Sequence, residues 1–289
     1  MHTRKLVTIL ATLSFSVVCA RAASSAGEAP SGNAIRIDVD GGYLIVAKVD
    51  VASLKGLRFL VDTGASSTVI DRRVAERLVV AIQPAKLINF DKTLLLDRSE
   101  VPEISFGSEH TSNAPVLIED LGNLRPDGRR LDGILGVDLL RRTNFIIDYA
   151  KKRIEFGAAE HDGTRSVPMR LDAQTLTVEA ELGGQPVQMI VDSGAPGAVF
   201  YEDSLRNAFV NYRIEGRIAS LSLGGPVESH RAFVPRLRLG SQDLDREVVV
   251  VGTHGSKIPS GISGYLGLAS LNAREIEFDF VTDTLSWRR

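Results

Sequence analysis

The sequence predicts a mainly β protein, built from two similar halves related by a pseudo-twofold axis, with few short helices. Three observations carry this: an internal repeat, strand-like alternation of apolar and polar residues, and Gly-containing turns between the alternating stretches. The repeat comes first. "FLVDTGASSTVI" from Phe59 is echoed by "MIVDSGAPGAVF" from Met189, which places Asp192 130 residues after Asp62. "VPEISFGS" from Val101 matches "VPRLRLGS" from Val234, and "DGILGVDLL" from Asp132 matches "SGYLGLASL" from Ser263. "FIIDYAKKRIEF" from Phe145 matches "IEFDFVTDTLSW" from Ile276, aligned on Asp148 and Asp279. The offsets are 130, 133, 131 and 131, so four blocks recur in one order at nearly one spacing.

The elements follow in order. "AIRIDVD" and "YLIVAKVD" alternate as strands, with Asp40-Gly41-Gly42 as a hairpin turn. In the second half "TLTVEAEL", Gly183-Gly184 and "PVQMIV" repeat the pattern, and each Asp-Thr/Ser-Gly closes the strand after its turn. Short helices follow: "DRRVAERLVVAI" with Asp71 as cap, and "EDSLRNAF" with Glu202 or Asp203 near its start. "SLSLGGPVESHRAF" from Ser220 reads as a hairpin with a Gly-Gly tip, suited to a mobile flap. The matching stretch around Ala85–Ser99 has neither glycine nor tyrosine.

The N-terminus reads as a cleavable signal peptide over residues 1–22. Arg4 and Lys5 precede an uncharged run, Leu6–Val18, and Ala20-Arg21-Ala22 supplies an A-x-A site. Thirteen uncharged residues are too few to span a bilayer, so no stable membrane span is expected after cleavage. A lipoprotein signal at Cys19 is the lesser option, since Val18 is bulky where such signals carry a small residue. Removing this segment takes away Arg4, Lys5, Arg21 and no acid, moving the formal charge from −2 to −5. It also removes Cys19, the only cysteine, so no disulfide is expected. Residues 23–33 read as a flexible leader, 34–160 as the first half and 161–289 as the second. The expected location is secreted or periplasmic.

A lone Asp-Thr-Gly is ordinary turn chemistry. Two at equivalent points of a duplicated β unit are different, because equivalent loops can meet at the pseudo-twofold axis. Two carboxylates held that close cannot both ionise and share one proton. One can then act as base on a water and the other as acid on a carbonyl oxygen. Gly64 and Gly194 allow close backbone approach, and Thr63 and Ser193 can supply hydroxyl bonds that hold the loops.

"VDTGASSTVI" and "VDSGAPGAVF", each followed about seventy residues later by "GILGVDLL" or "GYLGLASL", resemble aspartic proteases of the retropepsin and pepsin type. The resemblance covers about residues 34–289 in two copies and is closer to the bacterial and retroviral-like branch. It implies two β-rich halves around a cleft, with Asp62 and Asp192 as the catalytic dyad. It implies Ile134-Leu135-Gly136 and Tyr265-Leu266-Gly267 as apolar-apolar-Gly segments bracing the catalytic loops. It also implies Ser66 as support of the catalytic loop, and a hydroxyl from Ser66-Ser67-Thr68 on the outer oxygen of Asp62. The second half departs from the pattern: Pro196-Gly197-Ala198 replaces Ser66-Ser67-Thr68, and Ala269 faces Asp138.

Other chemistries find no support. His110, His161, His230 and His254 are scattered without metal-ligand spacing, so no metal and no organic cofactor is expected. There is no G-x-S-x-G elbow and no basic cluster with interleaved aromatics, so nucleic acid is not an expected partner. Asp148 and Asp279 are expected at strand ends. "DLGNLRPDGRRLD" from Asp120 reads as a charged loop. The implied function is an exported aspartic endopeptidase acting on peptide or protein substrates. The alternative is a protease-like protein that holds peptides without cutting them. The oligomeric state, and whether the halves pair within or between chains, stay open.

Overall fold

The computed structural model describes residues 7–9, 33–89, 92–157, 165–172, 175–208, 211–252 and 261–289. The proposed signal peptide and leader lie almost wholly outside these residues. Val7–Ile9 form a short strand paired in parallel with Ala219–Leu221. No helix among the described residues is long and apolar enough to cross a membrane.

The two halves repeat each other strand by strand. In the first, Ala34–Asp40, Leu44–Val51 and Leu54–Val61 form an antiparallel meander. Gly133–Leu135 lies parallel to the end of its last strand and antiparallel to Val69–Asp71. In the second, Arg165–Asp172, Thr175–Leu182 and Gln185–Asp192 form the same meander. Ile262–Gly267 fills the place of Gly133–Leu135, parallel to Gln185–Asp192 and antiparallel to Ala198–Tyr201.

Beneath the two halves runs one antiparallel sheet to which each contributes three strands. Phe145–Asp148 pairs with Glu275–Asp279 across the boundary, and Arg153–Phe156, Ala34–Asp40, Thr284–Arg288 and Arg165–Asp172 extend it on either side. Phe145 lies opposite Phe278 and Ile147 opposite Ile276, so the crossing point is Ile146 against Glu277. The rings of Phe145 and Phe278 stack at 4.6 Å. A single core runs through both halves, from Val61 and Leu135 to Val191 and Leu266. The halves therefore pair within one chain.

Asp148 and Asp279 end their strands. Each accepts backbone N–H bonds from the turn that follows, from Lys151 at 2.8 Å and from Val281 at 2.8 Å. The first helix, Arg72–Leu78, is capped by Asp71, which accepts the N–H of Arg73 at 3.0 Å. The helix stops at Val79, earlier than its apolar pattern suggests, because Val79 turns left-handed (φ +54°). A short helix, Val137–Leu140, follows Gly136, and the helix of the second half is Glu202–Asn207.

One expectation is corrected. The strand carrying Asp62 does not follow the Asp40-Gly41-Gly42 turn, since Leu44–Val51 intervenes. Its own turn is Ala52-Ser53, where Ala52 (φ +50°) adopts the conformation that Gly183 (φ +57°) adopts in the second half. The glycine-free stretch near Ala85 also forms a hairpin, Gln83–Asn89 with Lys92–Phe106. Its counterpart is Arg213–Ser222 with Gly225–Phe233, turning at Leu223-Gly224. Both halves thus carry a projecting hairpin. Leu223, at the second hairpin's tip, packs on the first half's Tyr43–Ile134 cluster.

Candidate active site

Asp62 and Asp192 sit one residue beyond, and at the end of, the third strand of their respective meanders. Each loop is held from behind. The N–H of Asp62 donates to the carbonyl of Leu135 at 3.0 Å, and that of Val137 to the carbonyl of Ala65 at 2.8 Å. In the second half Val191 pairs with Leu266 and Asp192 with Gly267, and the N–H of Gly267 donates to the carbonyl of Gly197 at 3.1 Å. Leu135 and Leu266 are fully buried beneath the loops. Gly136 and Gly267 are packed so closely that a Cβ would lie 2.6 Å from the Ser67 carbonyl carbon or 2.4 Å from the Ala195 carbonyl oxygen.

The two loops are tied to each other reciprocally. Thr63 Oγ1 donates to the carbonyl of Val191 (2.9 Å) and accepts the N–H of Ser193 (3.0 Å). Ser193 Oγ donates to the carbonyl of Val61 (2.8 Å) and accepts the N–H of Thr63 (3.0 Å). Both hydroxyls are buried, and each donates one bond and accepts one across the two loops. Gly64 faces the opposite carboxylate, and a Cβ there would sit 2.6 Å from Asp192 Cγ. Only glycine leaves room for the two acids to meet.

The carboxyls do meet: a Cβ on Gly194 would lie 3.1 Å from Asp192 Oδ1 and 3.4 Å from Asp62 Oδ2. Burial raises Asp62 from its ordinary value, opposed by the N–H groups of Gly64 (2.9 Å) and Ala65 (3.1 Å) and by the bond from Asp192. Burial raises Asp192 much further, helped by the charge of Asp62 and by their shared bond, while the N–H of Gly194 (2.7 Å) opposes it. Like charges this close cannot both ionise, so the pair shares one proton, and burial favours the protonated form more strongly at Asp192. The model of the aspartyl protease family matches this chain twice, over residues 47–139 and 178–269, one match around each carboxyl. The chain belongs to the aspartyl protease family. No curated protein matches it.

In this family member the hydroxyl bond expected on Asp62 is not made. Ser66 is partly exposed, and among the described residues no side-chain hydroxyl bonds Asp62. The loop's hydroxyl is that of Thr68, which donates to Asp138 Oδ1 at 2.7 Å and accepts the N–H of Gly136 at 3.1 Å. Asp138 Oδ2 accepts the N–H of Thr68 at 3.0 Å. The second half has Ala198 and Ala269 at these two places, so the pair is replaced as a unit. Losing one member alone would strand a buried polar group.

Two features were not legible in the motifs. The loop from Asp120 to Asp132 seats Leu121, Leu124 and Leu131 against Val69 and Ile134 beside the first catalytic loop. It is anchored on Asp71, which accepts the N–H of Leu121 (3.0 Å) and a bond from Arg130 (2.9 Å). The second is Tyr265. Read as an apolar bracing residue, it carries a hydroxyl that accepts a bond from Tyr201 at 3.4 Å. Burial raises its pKa well above the ordinary value, and the charges of Tyr201, Asp192 and Asp62 add to that. Among the described residues no three His, Cys, Asp or Glu side chains converge to hold a metal.

Proposed function

We propose that this member of the family is an exported aspartic endopeptidase in which Asp62 and Asp192 activate a water between them. The observation that carries the reading is the close approach of two carboxyls 130 positions apart, with glycines between them that leave no room for a Cβ, in loops that repeat each other. Asp62, ionised, takes a proton from the water as its oxygen attacks the scissile carbonyl carbon. Asp192 gives its proton to the carbonyl oxygen. The tetrahedral diol then collapses, the C–N bond breaks, and the amine leaves with a proton returned through the dyad. Thr63, Ser193, Gly64 and Gly194 hold the loops at this spacing. Ile134-Leu135-Gly136 and Tyr265-Leu266-Gly267 brace them. The alternative is a protein that holds peptides without cutting them. It is favoured by the missing Thr–Asp pair behind Asp192, and peptide binding without hydrolysis would establish it.

The test is hydrolysis of a peptide library by protein beginning after Ala22, followed across pH. Both acids lie above the ordinary carboxylate value of 3.8, Asp192 by more. The profile should be a bell with both limbs displaced upward. Activity rises as Asp62 loses its proton and falls as Asp192 loses its own, with a maximum at mildly acidic pH. Activity confined to strongly acidic solution would refute the arrangement.

Export is proposed from the basic start, the apolar run and the Ala20-Arg21-Ala22 site. Mass spectrometry of the exported protein should find an N-terminus at Ala23. Material retaining Met1 would refute cleavage.

A further inference from the structure

The peptidase reading leaves open what the cleft selects at a distance from the scissile bond, and there the second half lacks a pair that the first half has. In the first half Thr68 Oγ1 donates to Asp138 Oδ1, and Asp138 Oδ2 accepts the N–H of Thr68, so the place behind the loop is filled. In the second half Ala198 and Ala269 stand at these two places. Both line a cavity of about 540 Å³. Pockets of that size hold a whole small ligand, so the space is ample for one side chain.

The cavity lies beside the dyad, and neither carboxyl lines it. One wall is the loop that follows Asp192, at Pro196, Gly197 and Ala198. Another is formed by Ile218 of the second hairpin and Val249 of Glu247–Val251. Tyr43 contributes from the first half, which places the cavity between the halves. Pro196, Gly197, Ile218 and Val249 are partly exposed and Ala269 is exposed, so the cavity opens to solvent. A Cβ on Gly197 would meet nothing within 4 Å. The acids on the exposed rim are engaged. Asp243 lies 3.1 Å from Arg236 and 3.4 Å from Arg238, Glu247 lies 3.8 Å from Arg231, and Asp245 accepts the N–H of Glu247 at 3.0 Å. The surface left for a guest beside the loop is apolar. Pro196 is four residues beyond Asp192, so their Cα atoms are at most about 14 Å apart. An extended peptide advances about 3.3 Å per residue, so a residue two to four positions from the scissile bond spans that distance.

We propose that this cavity seats a large apolar side chain of the substrate, two to four residues from the scissile bond on one side only, and that Ala198 and Ala269 determine this selectivity by leaving the space open. The inference rests on the peptidase reading. The test is a randomised peptide library cleaved by protein beginning after Ala22, with the cleaved bonds located by mass spectrometry. One distal position should be enriched in Leu, Met, Phe, Tyr and Trp, without the same enrichment at the matching position across the bond. Two variants narrow the cavity independently. Ala198→Thr with Ala269→Asp restores the pair of the first half, and Gly197→Leu sends a side chain into open space. Each should lower the distal enrichment about tenfold. Bonds without a large residue at that position should still be cut by both variants, which shows that they fold. Equal distal enrichment on both sides of the bond, no distal enrichment, or an enrichment unchanged in both variants would overturn the inference and leave the peptidase reading intact. No cleavage of any peptide by the parent protein would overturn both.

Discussion

Replacing Asp192 by Asn is expected to lower peptide hydrolysis by about 10³-fold and to raise thermal stability at neutral pH. The two effects share one cause. Asp192 is buried against Asp62, and its folded pKa lies well above its unfolded one. Below the unfolded value both states hold the proton and the residue is neutral to stability. Above it the unfolded chain ionises freely, while the folded chain must keep the proton or bury a second negative charge. Stability is therefore lost as pH rises from the unfolded value through the folded one. Asparagine removes that penalty, so the melting temperature of the variant should exceed that of the parent at pH 7 and converge with it near pH 3. Asp62→Asn should lose activity equally, because neither half can supply both base and acid. Full hydrolysis by either variant would end the dyad reading, and a lower melting temperature for Asp192→Asn at pH 7 would contradict the charge assignment.

Thr63→Val is expected to lower both stability and activity. Valine matches threonine in shape but has no hydroxyl. The N–H of Ser193 loses its acceptor and the carbonyl of Val191 loses a donor, both in a site from which water is excluded. A cost of about 2–3 kcal/mol follows from stranding such groups, readable as a lower urea midpoint. The same bonds hold the two loops in register, so loosened spacing should cost about 10²-fold in kcat. Thr63→Ser keeps the hydroxyl and should restore most of both. A Thr63→Val protein with parental stability and rate would show that the cross-link is dispensable.

The acids and the close-approach glycines were readable because the chain states them twice. The repeat turned two common tripeptides into a geometric statement, and the short helix behind Asp71 followed from its cap. Other features were hidden where one residue stands in for another. Ala52 takes a left-handed conformation that sequence assigns to glycine, so the turn before Asp62 was misplaced. The first hairpin forms from strand alternation alone, without the glycine that signals its counterpart. Thr68 and Asp138 bond each other across 70 residues, and no local pattern shows that the loop's hydroxyl serves Asp138 and not Asp62. Tyr265 occupies an apolar position in the motif, and its partner Tyr201 is identified only by the register of Val199 against it.

The strand pairing of Phe145–Asp148 with Glu275–Asp279 joins the halves inside one polypeptide. Dilution cannot separate Asp62 from Asp192, as it would in an assembly of two exchangeable subunits. Covalent fusion also lifts the demand of symmetry. A dimer of identical units must change both walls of its cleft whenever it changes one. Here Ile134 and Tyr265, or Thr68 and Ala198, are separate positions that can be altered one at a time.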